Sequence, residues 1–198
     1  MPKIAILILA AGASSRMGDS DKLTQDANGT PLLARVIERA GATSLPVFVT
    51  LPDLSHPRAN LAHATDATLI AVPDWRSGMS ASIKAGIAAL PDNTPGVMIL
   101  PGDMPDLTTT DLQAVAHTAQ THPASIIRAT TPDGTAGHPV IFPNDLFAQL
   151  QNLTGDLGAR AVIRAHQQRL HPHIITGTRA LTDLDTPQDW ANWRAAQT

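Results

Sequence analysis

Short apolar runs that alternate with stripes of helical spacing restrict the possible folds of this chain more than any other feature. Ile4–Leu9, Val47–Leu51, Thr68–Val72 and Val97–Leu100 are continuous in hydrophobicity rather than alternating, as strands covered on both faces are. Between them, Leu32, Leu33, Val36, Ile37 and Ala40 recur on one helical face, with Thr30 placed as N-cap and Pro31 at the first helical position. Met79, Ile83, Ile87 and Leu90 form a second stripe, and Leu112, Val115, Ala116 and Ala119 a third. Strand, helix, strand in succession gives right-handed crossovers on a mainly parallel sheet. The expected architecture is therefore α/β, a Rossmann-like three-layer α/β/α sandwich.

The second half is less regular. Ala124–Ala129 and Pro139–Phe142 read as strands around the turn Pro132-Asp133-Gly134, which adds an antiparallel excursion to the sheet. Helices are expected at Asn144–Gln151 and Leu157–His166, and a strand near His171–Ile175. Thr186-Pro187-Gln188-Asp189 has the order of a cap, a first-turn proline and a capping-box acid, opening a last helix with Trp190 and Trp193 on one face. No repeat, low-complexity tract or linker interrupts the chain, so one domain is expected over residues 1–198.

Composition narrows the function. Aromatics are 3% and Tyr is absent, so the core must come from Ala, Leu, Ile and Val. The formal charge of −3 argues against a protein that coats nucleic acid. Without cysteine there is no disulfide framework, thiolate metal site or cysteine nucleophile, which fits a cytoplasmic protein. Lys3 followed by an apolar run superficially resembles a signal peptide, but a single lysine and a short run favour a buried first strand. No run reaches the roughly 20 apolar residues of a membrane span.

The strongest local signal is Leu9-Ala10-Ala11-Gly12-Ala13-Ser14-Ser15-Arg16-Met17-Gly18, followed by Lys22. It begins where the first strand ends, at the carboxyl edge on which open α/β sheets bind ligands. Small residues let backbone N–H groups approach an anion, Gly12 and Gly18 permit unusual backbone angles, and Arg16 and Lys22 supply positive charge for a polyphosphate. A Walker A loop is excluded because no Gly-Lys-Ser/Thr opens a helix, and a dinucleotide fingerprint because Ser14 occupies its second glycine position. An ordinary surface turn is the competing reading of the loop taken alone.

Two acidic sites follow. Asp103 comes after the strand Val97–Leu100 and the bend Pro101-Gly102, and Asp183 and Asp185 flank Leu184 ahead of the last helix. Alternate residues of an extended stretch face one way, so the later pair could project towards one cation. Mg²⁺ is typically held by one or two carboxylates plus substrate phosphates, for which Asp103 and one of the pair suffice. The competing readings are a loop aspartate that caps nearby backbone and neighbours of a helix cap. Ser80 or Ser82 reads either as a helix cap or as a ligand contact at a helix N-terminus. His138 is either a binding group or a satisfied surface histidine, while His117, His122, His171 and His173 lack zinc spacing and read as solvated. Trp190 and Trp193 read as packing residues.

In order along nearly the whole chain, the string LAAGASSRMG, Asp21-Lys22-Leu23, Gly29-Thr30-Pro31-Leu32-Leu33, Pro73-Asp74-Trp75, Gly78-Met79-Ser80-Ala81-Ser82-Ile83 and Pro101-Gly102-Asp103-Met104-Pro105 closely resemble the molybdopterin nucleotidyltransferases. Gly137-His138-Pro139-Val140, Gly155-Asp156-Leu157-Gly158-Ala159-Arg160 and Asp183-Leu184-Asp185-Thr186-Pro187 continue the likeness. The resemblance implies a fold of the nucleotide-diphospho-sugar transferase type and transfer of a nucleoside monophosphate to the terminal phosphate of molybdopterin. Ala10-Ala11, where guanylyl-transferring relatives carry two glycines, implies the cytidylyl-transferring branch and CTP. It further implies catalytic roles for Arg16, Lys22 and Asp103, and nucleotide contacts at Leu9, Ala10, Ala11, Gly12, Arg16, Lys22, Asp74, Ser80 and Asp103. Mg²⁺ would sit on Asp103 and Asp185, with Asp183 the weaker candidate, and the acceptor would meet Gly137, His138 and Arg160.

The expected partners are thus CTP and a molybdopterin-type substrate, with a recipient molybdenum enzyme or its chaperone downstream, and neither nucleic acid nor membrane. Three other functions share parts of this pattern. One is a related enzyme that uses GTP or another nucleotide, or acts on a sugar phosphate. Another is a glycosyltransferase, through the Asp-x-Asp pattern of Asp183-Leu184-Asp185, although its C-terminal position and the Arg/Lys-bearing first loop suit that class poorly. The last is a non-catalytic nucleotide-binding module, which would not need Lys22, Asp103 and Asp185 together.

Overall fold

The computed structural model describes residues 3–18, 20–62, 65–155 and 158–197, with Ser15 described by its backbone only. Its strands are β1 (Ala5–Leu9), β2 (Val47–Leu51), β3 (Thr68–Ala71), β4 (Gly96–Pro101), β5 (Ile126–Thr130), β6 (Ala136–Pro143) and β7 (Leu170–Ile174). Its α-helices are α1 (Leu32–Gly41), α2 (Met79–Ala88), α3 (Thr109–Thr121), α4 (Phe147–Gln151), α5 (Arg160–Ala165) and α6 (Pro187–Ala195). The strands make one sheet in the order β3-β2-β1-β4-β6-β5-β7. All neighbours are parallel except those of β6, which runs antiparallel to both β4 and β5.

The period of two along a strand explains the layers. From β1, Ile6 and Ile8 enter a core with Leu33, Val36 and Ile37 of α1, Leu112 and Val115 of α3, and Trp190 and Trp193 of α6. Ala5 and Leu7 enter the opposite core with Ile83 and Ile87 of α2, Leu150 of α4 and Val162 and Ile163 of α5. Both faces of β1 are therefore covered, which is why its sequence reads as an unbroken apolar run. Helix α2 comes so close that a Cβ on Gly86 would stand 2.3 Å from a Leu7 methyl.

Several local expectations are corrected. Thr30 does not cap α1: its carbonyl accepts from Ala27 N in a turn (2.8 Å), Pro31 takes the N-cap position, and Gln25 O satisfies Leu32 N (2.9 Å). Helix α2 is capped by Gly78 at φ 109° and not by Ser80 or Ser82, which are buried. The Asn144–Gln151 helix opens as a 3₁₀ turn, and α5 begins only at Arg160; Asp156 and Leu157 lie outside the described residues. The C-terminal histidines are not simply solvated. His122 stacks on His171 at 4.0 Å between ring centroids, and His173 Nδ1 hydrogen-bonds the Thr118 hydroxyl at 2.8 Å.

Candidate active site

The parallel strands β1, β2, β3 and β4 end on one edge of the sheet, and the candidate residues gather there. After β1 the chain turns through Ser14 in the left-handed region (φ 54°), a 3₁₀ turn at Ser15–Met17 and Gly18 at φ 64°. The residue that adopts the unusual angle beside Gly12 is thus Ser14, whereas Gly12 itself is not in that region. A Cβ at Gly12 would meet nothing within 4 Å, so that position faces open space and the fold itself does not demand glycine there.

The loop then delivers Lys22 through a second 3₁₀ turn, capped by the Asp21 carboxylate on Leu23 N at 3.0 Å. Lys22 Nζ donates to Asp103 Oδ2 and to Asp185 Oδ1, and Arg16 donates to Asp185 Oδ2. Burial works against the Lys22 ammonium, but the Asp103 carboxylate and then Asp185 more than offset it, so its pKa is raised and the side chain stays cationic. Residues separated by 81 and 163 positions from Lys22 thereby meet at one amine.

Backbone contacts fix the two carboxylates. Leu184 N donates to Asp103 O at 3.1 Å, which docks the last segment on the β4 loop. Thr186 and Asp189 form the expected capping box of α6, and the same Asp189 carboxylate accepts from Asp185 N at 3.2 Å. Trp193 Nε1 donates to Asp106 Oδ1 at 2.8 Å, tying α6 to the loop that carries Asp103. Arg39 holds that loop from the other side through the carbonyls of Pro105 and Leu107.

Asp103 Oδ1 is buried and has no hydrogen-bond partner among the described residues. An unsatisfied buried carboxylate oxygen is costly, and a cation or a hydrogen-bond donor from a ligand or water would relieve it. Asp183 is exposed, yet its carboxyl pKa is raised by partial burial and then by the charges of Asp103 and Asp185, which puts three acidic groups in one field. Among the described residues no three of them form a ready-made metal cage. The arrangement offers a divalent cation two carboxylates, leaving further positions to phosphate and water.

Beside the loop lies a cavity of about 390 Å³ lined by Gly12, Ala13, Asp21, Asp53, His56 and Trp75, among others. Asp74 opens the 3₁₀ turn at Trp75–Ser77 next to it and is exposed, whereas Ser80 is only 2% exposed. Leu9, Ala10 and Ala11 form the floor between loop and sheet: Ala10 N donates to Thr50 O at 3.1 Å, and Ala11 packs with Val72 and Ala81.

On the other side of Asp103, Gly137-His138 follow the first residue of β6. Gly137 lies so near Ala180 that a Cβ would be 2.2 Å from its carbonyl oxygen, and His138 N donates to that oxygen at 2.9 Å. Burial first, then the positive charge of Arg128, depresses the His138 imidazole to about 4, with Asp103 opposing and Arg160 adding slightly. The ring is therefore neutral at pH 7, and its Nδ1 is buried without a partner among the described residues. Arg160 is exposed at the start of α5 and close enough to Arg128 to lower its pKa, although burial is the larger cause.

Arg58, Arg128 and Asp106 also belong to this region and do not stand out as site residues in the sequence. Arg128 carried a weak signal, being a charged residue inside an apolar strand run; Arg58 and Asp106 carried none, because their partners are distant in sequence.

Comparison with known proteins agrees with the fold and shows the family. Residues 6–170 match the family model described as the MobA-like NTP transferase domain. Among curated relatives, Bifunctional protein GlmU of Mycobacterium sp. (strain KMS) is 30% identical over 146 residues, covering 68% of this chain and 28% of that protein. The chain thus spans less than a third of the length of such relatives. Among solved structures, Rv0371c from Mycobacterium tuberculosis superposes with a TM-score of 0.81 at 24% identity, covering 99% of both chains. A nucleotidyl transferase from Methanothermobacter thermautotroptrophicus gives 0.83 at 17% identity, covering 98% of this chain and 97% of that one. CMP:2-keto-3-deoxy-manno-octonic acid synthetase complexed with CTP gives 0.74 at 14% identity, covering 100% and 98%. These likenesses bear out the expected three-layer fold. With its sheet order, its loop after β1 and a family match across most of its length, the chain belongs to the MobA-like NTP transferase domain family.

Proposed function

We propose that this protein is a molybdenum cofactor cytidylyltransferase, moving CMP from CTP to the terminal phosphate of molybdopterin with release of pyrophosphate. The observation that carries the nucleotidyl-transfer reading is the Lys22 ammonium held between Asp103 and Asp185 beside a loop of small residues. The choice of CTP is supported by Ala10-Ala11 and that of molybdopterin by the run of motifs from the first loop to Thr186-Pro187.

Each group has a task in this reading. The loop amides and Arg16 take the triphosphate, Arg16 exchanging its ion pair with Asp185, which an exposure of 69% leaves in contact with solvent, for the phosphate oxygens. The cavity beside Gly12 and Trp75 takes the nucleoside. Lys22 offers a fixed positive charge to the α-phosphate as negative charge builds there. Mg²⁺ would be held by Asp103 and Asp185, where it would neutralise phosphate charge and polarise the α-phosphate. Arg160 and the neutral His138 receive the acceptor phosphate, and the Gly137–Ala180 contact sets where His138 stands. The attacking oxygen belongs to a phosphate already ionised at neutral pH, so catalysis reduces to positioning and electrostatics rather than proton abstraction.

Asp103→Asn tests the assignment. It removes the charge and keeps the shape, so pyrophosphate release should fall by about three orders of magnitude, the scale of losing a central electrostatic group. The circular dichroism spectrum should stay that of the wild type. Release at the wild-type rate would refute the role given to Asp103.

A further inference from the structure

Arg58, in the 3₁₀ turn Pro57–Ala62 between β2 and β3, has a side chain only 3% exposed. Its guanidinium makes five hydrogen bonds. Nε and Nη2 grip the Asp21 carboxylate at 2.7 and 2.8 Å. Nη2 also reaches the Ser14 hydroxyl at 3.1 Å, and Nη1 reaches the carbonyls of Ala10 at 2.5 Å and Gly12 at 2.8 Å. A guanidinium has five N–H donors, so its capacity is filled. Two bonds would complete an ordinary buried ion pair; the other three go to alternate residues of the first loop, 10, 12 and 14.

The geometry of the peptide unit gives this pattern a consequence. In a trans peptide the carbonyl of one residue and the N–H of the next point in opposite directions. With the oxygens of Ala10 and Gly12 turned onto Arg58, the N–H groups of Ala11 and Ala13 are turned away from it. Among the described residues neither amide has an acceptor, and the open space at Gly12 lies between them. Two free donors two residues apart are the elements of an anion nest.

We propose that Arg58 is a positioning residue that orients the first loop, so that the amides of Ala11 and Ala13 receive the polyphosphate of the nucleotide. This rests on the nucleotidyl-transfer reading; Arg58 also lines the cavity given to the nucleoside, but its five N–H donors are all taken by the chain's own acceptors, so it acts through the loop. Lysine cannot replace it: three donors on a single nitrogen cannot grip a carboxylate in two places and also span two carbonyls.

The test uses the full chain and inorganic tripolyphosphate as the probe. Titration of the ¹⁵N-labelled wild type should shift the amide resonances of Ala11 and Ala13, and an unmoved pair would overturn the proposal with no variant needed. Arg58→Lys should weaken tripolyphosphate binding by about tenfold or more, the scale of losing donors to a charged group, and should abolish those shifts. Arg169→Gln, which breaks the Arg169–Asp145 pair beyond the other edge of the sheet, is the control for lost stability alone and should bind as the wild type does. Binding by Arg58→Lys within twofold of the wild type would overturn the inference while leaving the nucleotide site standing. A wild type that fails to bind tripolyphosphate would overturn the nucleotide-loop reading itself, and the inference with it.

Discussion

Replacing His138 with Asn should remove a pH dependence of stability whose sign and size follow from the structure. In the fold the imidazole titrates near 4, against 6.5 for the free side chain, first because it is buried and second because Arg128 repels a proton there. As pH falls from 7, the unfolded chain takes up this proton first and the folded chain resists it. The group therefore costs no stability above the unfolded value, costs progressively more between about 6.5 and 4, and has exacted its full penalty below that. One pH unit of difference is about 1.4 kcal/mol, so the whole penalty is roughly 3 kcal/mol and about 2 kcal/mol of it falls between pH 7 and 4.5. Urea denaturation of wild type and His138→Asn at those two pH values measures it as a double difference. That subtraction cancels the stability that Asp21 and Asp111, whose pKa values are lowered against the raising effect of burial by Arg58 and Arg179 respectively, lose as pH falls through their folded values. Equal pH slopes for the two proteins, or an imidazole resonance titrating near 6.5, would refute the argument.

Two further substitutions probe the scaffold. Gly86→Ala drives a methyl group into Leu7 and should cost about 1–3 kcal/mol by overpacking, read as a lower thermal midpoint with the circular dichroism spectrum retained. Trp193→Phe keeps most of the packing and deletes the bond to Asp106, so it should cost about 1.5–3 kcal/mol in urea denaturation, the range for a hydrogen bond to a charged group.

Strands β1, β2 and β4 were legible because burial on both faces leaves an unbroken apolar run, whereas β3, read as covered in the same way, is half-buried or exposed along its length. Ile4–Leu9 and Val97–Leu100 differ from β1 and β4 by at most one residue at each end. The antiparallel β6 was legible through the turn at Pro132-Asp133-Gly134. Capping depended on detail that composition does not carry. Thr186 caps as its neighbours suggest, but Thr30 spends its carbonyl in a turn and leaves the helix start to Pro31.

The candidate site was legible where each residue follows a strand or precedes a helix, as Lys22, Asp103 and Asp185 do. The device that holds the loop was not. Arg58 reaches partners 37 to 48 residues away, and nothing in a lone arginine within a polar loop announces a buried side chain. Unusual backbone angles were expected at Gly12 and Gly18; Gly18 does take a positive φ of 64°, whereas Gly12 does not. The left-handed angle falls on Ser14, whose hydroxyl donates to Asp21 and accepts from Arg58.

The proposed transfer of CMP to a phosphorylated pterin is tested by measuring pyrophosphate release with CTP, GTP and UTP in parallel, each with Mg²⁺ and with or without molybdopterin. Release with CTP should depend on molybdopterin and be accompanied by a CMP-linked pterin product, with little turnover of the other two nucleotides. Release that ignores molybdopterin, or that requires a sugar phosphate in its place, would contradict that transfer.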